Sequence, residues 1–205
     1  MATSEKFSIS FNNKDFIRLA NLIGDCFCPY EEKSRLRIRR FKEKIDKVSD
    51  LEINKSELAD LEKEITLLHF KAINSLLEKL KLSKSEIDLI GLHGHTIFHR
   101  FQEKKTRQLG DGKLLSKLIG LNVIYDFREN DIKNGGQGAP LVPIYHKLLQ
   151  KKLELKTPVV FINVGGISNL TYLNKNDEMI SFDSGPGNFL IDKLLQRKSN
   201  NKVQF

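Results

Sequence analysis

Asp183 is the first residue to examine for chemistry. It follows an apolar run and precedes Ser184-Gly185-Pro186-Gly187-Asn188, after which a helical pattern begins at Phe189. A carboxylate at the end of a strand, beside a glycine-rich turn that opens a helix, is placed to take a proton from a hydroxyl or water. The helix N-terminus and the missing side chain at Gly185 favour close approach of an anion. Just upstream, the run at residues 159–164 stops at Gly165-Gly166 and resumes at Asn169. That pattern predicts two strands and a tight turn whose backbone amides suit a phosphate. Each feature also has a structural alternative: glycine pairs are common in hairpins, and an Asp before a helix is often a cap.

A second set of polar groups lies between residues 93 and 137. Arg128 follows a predicted strand end and could clamp a carboxylate with two parallel N–H bonds, or pair with Glu129 or Asp131 at the surface. The run Gly135-Gly136-Gln137-Gly138 suggests close approach of backbone to something, or simply a connector. His93, His95 and His99 invite a zinc hypothesis, with His93 and His95 sharing one face of a strand. No cysteine or carboxylate completes a tetrahedral set at ligand-like spacing, so the expectation is no metal site of this kind. These histidines are read as polar groups lining a ligand or satisfied within a core. Neither a Walker-type phosphate loop nor a serine nucleophile elbow occurs in the sequence.

The elements that must hold these residues alternate. Residues 1–12 read as a half-buried strand, with Phe7, Ile9 and Phe11 on one face. A helix is predicted after Asn13, with Phe16, Leu19, Ala20 and Ile23 on one face. A basic helix follows at residues 33–47, with Leu36, Ile38, Phe41 and Ile45 as its apolar stripe. A long amphipathic helix opens at Ser56 and is expected to pack on a sheet. His69 within it is read as structural. A cap-like step at residues 83–86 leads to a buried strand at 87–92 and a further strand at 96–99. Residues 108–112 turn into a helix at 113–119, and a strand is predicted at 121–125. A polar loop at 129–139 leads to a helix at 140–149. The organising segment then carries strands at 159–164, 169–173 and 179–182. Helices alternating with strands, and polar residues gathered after strand ends, predict an α/β architecture.

Composition sets the outer bounds. The 205 residues are 40% hydrophobic, enough for a real core. No apolar run is long enough to span a bilayer, and the first residues carry no secretory pattern. Cys26 and Cys28 stand too close in sequence to be expected to bridge each other. A cytoplasmic protein is therefore expected. The net charge of +8 is concentrated in residues 33–47. That run could meet nucleic acid or an acidic membrane, but no aromatic platforms interleave, and a solvated helix face is the favoured reading. Neither nucleic acid nor a membrane is expected as partner. Residues 198–205 are polar and break off after a helix, so the chain is expected to be incomplete.

The strings HGHTIFH, QLGDG, DFRENDIKNGGQGAPLVP, NVGGISNLT and SFDSGPGNFLID resemble, in order, the signatures of the anhydro-N-acetylmuramic acid kinase family. The resemblance implies an actin-like ATPase and sugar-kinase fold, ribonuclease H-like, with a mixed sheet and flanking helices. Residues 1–86 would be the mostly helical part of an N-terminal lobe. Residues 87–205 would be the α/β core that binds substrate and phosphate, truncated before a second lobe. It implies ATP-dependent phosphorylation of 1,6-anhydro-N-acetylmuramic acid with hydrolytic opening of its anhydro bridge, a reaction of cell-wall recycling. Asp183 would then activate the water. His93, Thr96, Arg128 and Gln137 would hold the sugar and its lactyl carboxylate. Gly165, Gly166, Asn169 and Gly185 would bind phosphate. ATP and magnesium are the implied cofactors, a small sugar the partner, and a homodimer the candidate assembly. The sequence also departs from the family pattern. No G-T-S-x-D-G hairpin precedes Phe7, the adenosine lobe is absent, and His95 stands where the family has Gln. This chain alone is therefore expected not to turn over ATP. Two other readings compete: a sugar-binding protein without catalysis, and a kinase of the same superfamily for another sugar.

Overall fold

A computed structural model describes residues 3–12, 15–176 and 178–199, with side chains described from residue 22 onward. The chain is mixed α/β, built from small sheets and helices, and divides into two compact units. One unit comprises Met1–Ser8 with Asn21–Ala139, the other Ile9–Ala20 with Pro140–Phe205.

The N-terminal strand β1 (Thr3–Asn12) forms as expected; which of Phe7, Ile9 and Phe11 is buried lies outside the described residues. The expected helix after Asn13 does not form. Residues Asp15–Phe27 are instead strand β2, paired with β1 in a two-stranded sheet. A short apolar run satisfies either period, and pairing with a neighbouring strand settled its backbone hydrogen bonds.

The first unit is built around three elements: helix α1 (Glu32–Glu43), helix α3 (Lys55–Leu80), and the ribbon of β4 (His95–Arg100) with β5 (Lys105–Leu109). A short helix α2 (Val48–Ile53) joins α1 to α3. Phe41, Leu61, Ile65 and Leu109 are fully buried in one cluster with Ile97 and Phe98. The long helix thus packs on a sheet, as its stripe predicts. On α1 the buried face is Ser34, Ile38 and Phe41, while Leu36 remains exposed. Ser34 Oγ donates to Glu64 at 2.6 Å, Arg37 pairs with Glu64, and Lys44 Nζ with Glu57 at 2.6 Å. Part of the basic run is therefore paired with α3 rather than merely solvated.

The expected strand at 87–92 shrinks to β3 (Ile90–Gly91), parallel to β6 (Val123–Ile124). Leu89 is exposed and only Leu92 is deeply buried, so the run is not a core strand throughout. Ser83 and Glu86 do form the expected capping box. Strand β5 has no apolar alternation; its inward residues are Thr106 and Gln108, joined at 2.7 Å by Gln108 Nε2 donating to Thr106 Oγ1. Helix α4 (Gly112–Ile119) starts where Asp111 Oδ1 accepts from the Leu114 amide at 3.0 Å. The polar stretch expected as a loop from 129 begins as helix α5 (Phe127–Lys133).

In the second unit, helix α6 (Pro143–Lys152) covers one face of the antiparallel sheet β7 (Val159–Val164), β8 (Ile167–Leu173) and β9 (Met179–Pro186). His146 stacks on Phe161 with ring centroids 4.9 Å apart and bonds Thr171 Oγ1 at 2.8 Å. Thr171 stands in register with Phe161 and Ser181. On the other face, Ile162 and Phe182 flank Leu170 in one row and are 68% and 50% exposed. Helix α7 (Phe189–Lys198) buries no residue.

Truncating Phe41 to Ala should cost about 3–5 kcal/mol, the range for a fully buried aromatic side chain. Leu36→Ala, on the exposed face of the same helix, should cost less than about 1 kcal/mol. Urea unfolding of the two variants measures both.

Candidate functional site

Two groups of expected site residues form, one in each unit.

In the first unit, Gly94 sets the geometry. Its φ is +74°, and a Cβ there would lie 2.3 Å from the Leu109 carbonyl oxygen, so the position requires glycine. The turn places His93 before β4 rather than on it, so His93 and His95 do not share a strand face. Arg128, in the first turn of α5, donates from Nε to His93 Nε2 at 3.0 Å. His93 Nδ1 lies 2.9 Å from the Gly94 carbonyl oxygen and must carry the proton that this bond needs. Both contacts together require the neutral imidazole. Desolvation, with Arg128 as a further cause, holds the His93 pKa below the usual histidine range. Arg128 thus pairs with a histidine. Glu129 pairs with Lys133 at 3.1 Å, and Asp131 accepts from the Gly138 amide at 2.7 Å.

Thr96 stands in register with Gln108, whose Nε2 lies 3.4 Å from Thr96 Oγ1. Gln137 is exposed, one residue before the anchored Gly138. The close backbone approach expected of this glycine run is to the chain's own Asp131. His99 Nδ1 bonds Thr106 Oγ1 at 3.2 Å, and His69 Nδ1 donates to the Ile65 carbonyl at 2.8 Å. Among the described residues no three His, Cys, Asp or Glu side chains gather as a metal cage.

In the second unit, Asp183 does not end a strand. Strand β9 runs through it to Pro186, because pairing with β8 continues past a register shift between Ser168 and Asn169. Asp183 stands opposite Asn169, and Gly185 opposite Ser168. The Gly187 amide donates to the Gly166 carbonyl at 2.9 Å, and the Asn188 amide to that of Gly165 at 2.7 Å. Asn188 Nδ2 adds a bond to the Val164 carbonyl at 3.2 Å. These bonds seat the start of α7 on the β7–β8 turn, so Gly165, Gly166, Asn169, Asp183 and Gly185 share one end of the sheet. A Cβ at Gly187 would lie 2.3 Å from the Gly165 carbonyl oxygen. A Cβ at Gly166 or Gly185 would meet nothing within 4 Å, which leaves open space over both. Asp183 is exposed, whereas Asn169 Oδ1 is buried with no hydrogen-bond partner among the described residues. A buried acceptor of that kind suits a donor from a ligand, such as a hydroxyl or a metal-bound water.

The group in the first unit can hold a carboxylate at Arg128; the group in the second can bring a phosphate close to its glycine backbone and presents the exposed carboxylate of Asp183. Three features went beyond what the sequence indicated. Asn169 was expected to bind phosphate, but the burial of its unpartnered side-chain oxygen is one. Asp126 is another: it has φ +57°, and burial followed by Glu129 raises its pKa. The third is the row Arg35, Arg39 and Lys42 on α1. Only that row had a signal in the sequence, the helical spacing of its cations.

Gly187→Ala should destabilise the protein by about 1–3 kcal/mol, because the added methyl meets backbone rather than a movable side chain. Differential unfolding of the variant measures this. His69, His93, His95 and His146 are all held below the usual 6.5, mainly by burial, with His95 down to about 4. Their folded forms resist protonation, so their stabilising contribution is complete above pH 6.5 and is lost as pH falls from there towards 4. Melting temperatures taken across that window should fall steadily, and histidine NMR titrations should show His95 as the last to charge.

The family model for anhydro-N-acetylmuramic acid kinase matches residues 9–204. An anhydro-N-acetylmuramic acid kinase of Pelagibacter ubique (strain HTCC1062) is 42% identical over 182 residues, 88% of this chain and 48% of the relative. One of Rhizobium etli is 41% identical over 192 residues, 93% of this chain and 51% of the relative. One of Brucella canis is 50% identical over 141 residues, 68% and 38% of the two. The chain spans about half the length of the first two of these curated relatives. With a family match over nearly all its residues and the signature strings set on the turns and strands described above, this chain belongs to the anhydro-N-acetylmuramic acid kinase family.

Proposed function

We propose that this chain contributes the sugar-holding and water-activating part of an ATP-dependent kinase acting on 1,6-anhydro-N-acetylmuramic acid. The observation that carries it is the Arg128–His93 pair. A guanidinium held through Nε by a neutral imidazole has a fixed plane, and the fork of N–H donors on such a group matches a carboxylate. The lactyl carboxylate of the sugar supplies one. Thr96 and Gln137 complete the sugar contacts in this reading.

Asp183 takes the proton as a water oxygen bonds to the anomeric carbon. The bond from that carbon to O6 breaks, and O6 bonds to the γ-phosphorus of ATP as the phosphoanhydride bond to the departing ADP breaks, giving N-acetylmuramic acid 6-phosphate. Asn169 Oδ1 receives a hydrogen bond from a ligand donor, and the open backbone at Gly166 and Gly185 admits the phosphates. ATP with magnesium, when bound, supplies the phosphoryl group and neutralises its charge; magnesium commonly needs only one or two carboxylates besides phosphate oxygens. The corresponding fold is that of the actin-like, ribonuclease H-like sugar kinases. Residues 1–86, helical from Glu32 onward, would be part of an N-terminal lobe, and 87–205 the substrate- and phosphate-binding core. A role in cell-wall recycling and a cytoplasmic setting go with this function, and the unbridged thiols Cys26 and Cys28 suit that setting. Among the described residues no helix is long and apolar enough to cross a membrane.

Calorimetric titration with 1,6-anhydro-N-acetylmuramic acid tests the proposal. Saturable binding is expected, weakened at least about tenfold in Arg128→Ala through the loss of a charge-assisted pair. Asp183→Asn should bind within a few-fold of the parent, since its role lies in the chemical step. Binding that ignores Arg128 would remove the carboxylate-clamp assignment. Binding by a chain that shows no phosphoryl transfer even when supplied with the remaining part of a relative would favour a sugar-binding protein without catalysis.

A further inference from the structure

Side chains alternate along a strand, so the sheet β7–β9 presents two sets of residues. One set, centred on Thr171, lies beneath α6. The other forms two cross-strand rows, Val160–Tyr172–Ile180 and Ile162–Leu170–Phe182. Neither row contains a charged residue, and the outer members of both are 48–68% exposed. An antiparallel sheet with one face in water normally turns polar residues to that face. Single exposed apolar residues are ordinary, but contiguous rows of them mark an interaction surface. One edge of the sheet is open as well. The strand order is β7-β8-β9, and no other described strand pairs with β7. Free edges are commonly guarded by a charge, a proline or a bulge. Strand β9 has Asp183, Pro186 and a register shift against β8, whereas β7 has none of these between Val159 and Val164.

We propose that the two apolar rows and the open edge of β7 form one docking surface for the half of an anhydro-N-acetylmuramic acid kinase that this chain does not span. In this arrangement a strand of that half adds to β7, and an amphipathic element of it covers the rows. The match takes in 48% and 51% of the first two relatives, so each carries about as much polypeptide again outside it. That is ample to supply both a strand and a cover. A second copy of this chain fits less well. A copy related by a two-fold axis that pairs β7 edge to edge extends the sheet and leaves both apolar faces open. A copy packed face to face covers the rows and leaves the edge of β7 free. The absence of charge from the rows also disfavours a polar or nucleic-acid partner, since neither would replace the water it displaces with apolar contact. The inference rests on family membership and on this sheet, and takes nothing from the kinase reaction.

The test co-expresses the whole chain, tagged, with the part of the Rhizobium etli kinase that lies outside the match. The two should co-purify as a complex of one copy each, measured by sedimentation. The double variant Ile162→Lys/Phe182→Glu should lower the recovered complex at least about tenfold, because it places charges where docking removes water. Ile53→Lys, at an equally exposed apolar residue of α2 in the first unit, should leave recovery within about twofold. Circular dichroism of the variant chains confirms that these exposed substitutions leave the fold intact. Hydrogen exchange needs no variant: the β7 amides that do not bond to β8 should exchange at least about tenfold more slowly in the complex than in the chain alone. The proposal is overturned if no complex is recovered, if the complex survives the double variant, or if Ile53→Lys weakens it as much. It is equally overturned if a complex forms and β7 gains no protection. A stable dimer of the chain alone that the double variant dissolves would assign the surface to a second copy and also overturn it. None of these readouts uses sugar or ATP. A complex that forms without phosphoryl transfer would therefore leave the docking surface standing while removing the kinase reading.

Discussion

In the first unit, the contact between the middle of α3 and the end of β5 fixes almost everything that follows. Leu109 has no exposure and packs in the cluster of Leu61 and Ile65. At the next residue of the same helix, Thr66 Oγ1 accepts from the Asp111 amide at 2.9 Å while donating to the Glu62 carbonyl at 2.7 Å. Asp111, held there, caps α4. The Leu109 carbonyl in turn leaves room only for a glycine at position 94, and Gly94 determines where His93 stands. An apolar contact, a hydroxyl and a missing Cβ thus connect the core to Arg128 through His93. Local elements of modest length become rigid because each one closes the hydrogen bonds of the next.

Electrostatics in this unit depend on keeping imidazoles uncharged. His93 can receive the Arg128 N–H and donate to Gly94 only in its neutral form. His69 gives its one ring proton to a helix carbonyl. Opposite charges are kept for the exterior of the packing, where Arg107 meets Glu62 at 2.8 Å and Arg100 meets Asp46 at 2.9 Å. Such half-exposed pairs orient side chains more than they stabilise the fold.

Much of this was legible in the sequence wherever a single principle governed. The stripe of α3, the Ser83–Glu86 cap, the Asp111 turn and the Gly165-Gly166 hairpin all followed from local chemistry. Pairing that the local pattern does not encode was harder to read. Strand β2 mimics a helical stripe and is decided by its partner. Strand β5 hides because two of its three buried residues, Thr106 and Gln108, are polar and bonded to each other, with Leu109 the one buried apolar residue. Asp183 looked like a strand end because apolar residues stop there, yet a β8 register shift carries the ladder on to Pro186. At the candidate site, residue types pointed to Asp183, Arg128 and the glycine turn. The partner of Arg128 and the buried Asn169 oxygen depend on tertiary placement, and sequence spacing carries no trace of either.

Among the described residues of the second unit, the fully buried positions on β8 are Thr171 and Leu173; Thr171 is bonded to His146 and lies 3.4 Å from Ser181 Oγ, and Leu148 is the other buried aliphatic residue. Unfolding the described stretch from α6 to α7 therefore exposes much backbone and hydroxyl surface but little fully buried hydrocarbon. Apolar and polar hydration change the heat capacity in opposite senses. This stretch should accordingly contribute a small heat-capacity increment, a shallow dependence of stability on temperature, and little tendency towards cold denaturation. The aliphatic cluster of α1, α3 and the β4–β5 ribbon gives its own unit the opposite thermal character, so the two would part company most clearly at low temperature.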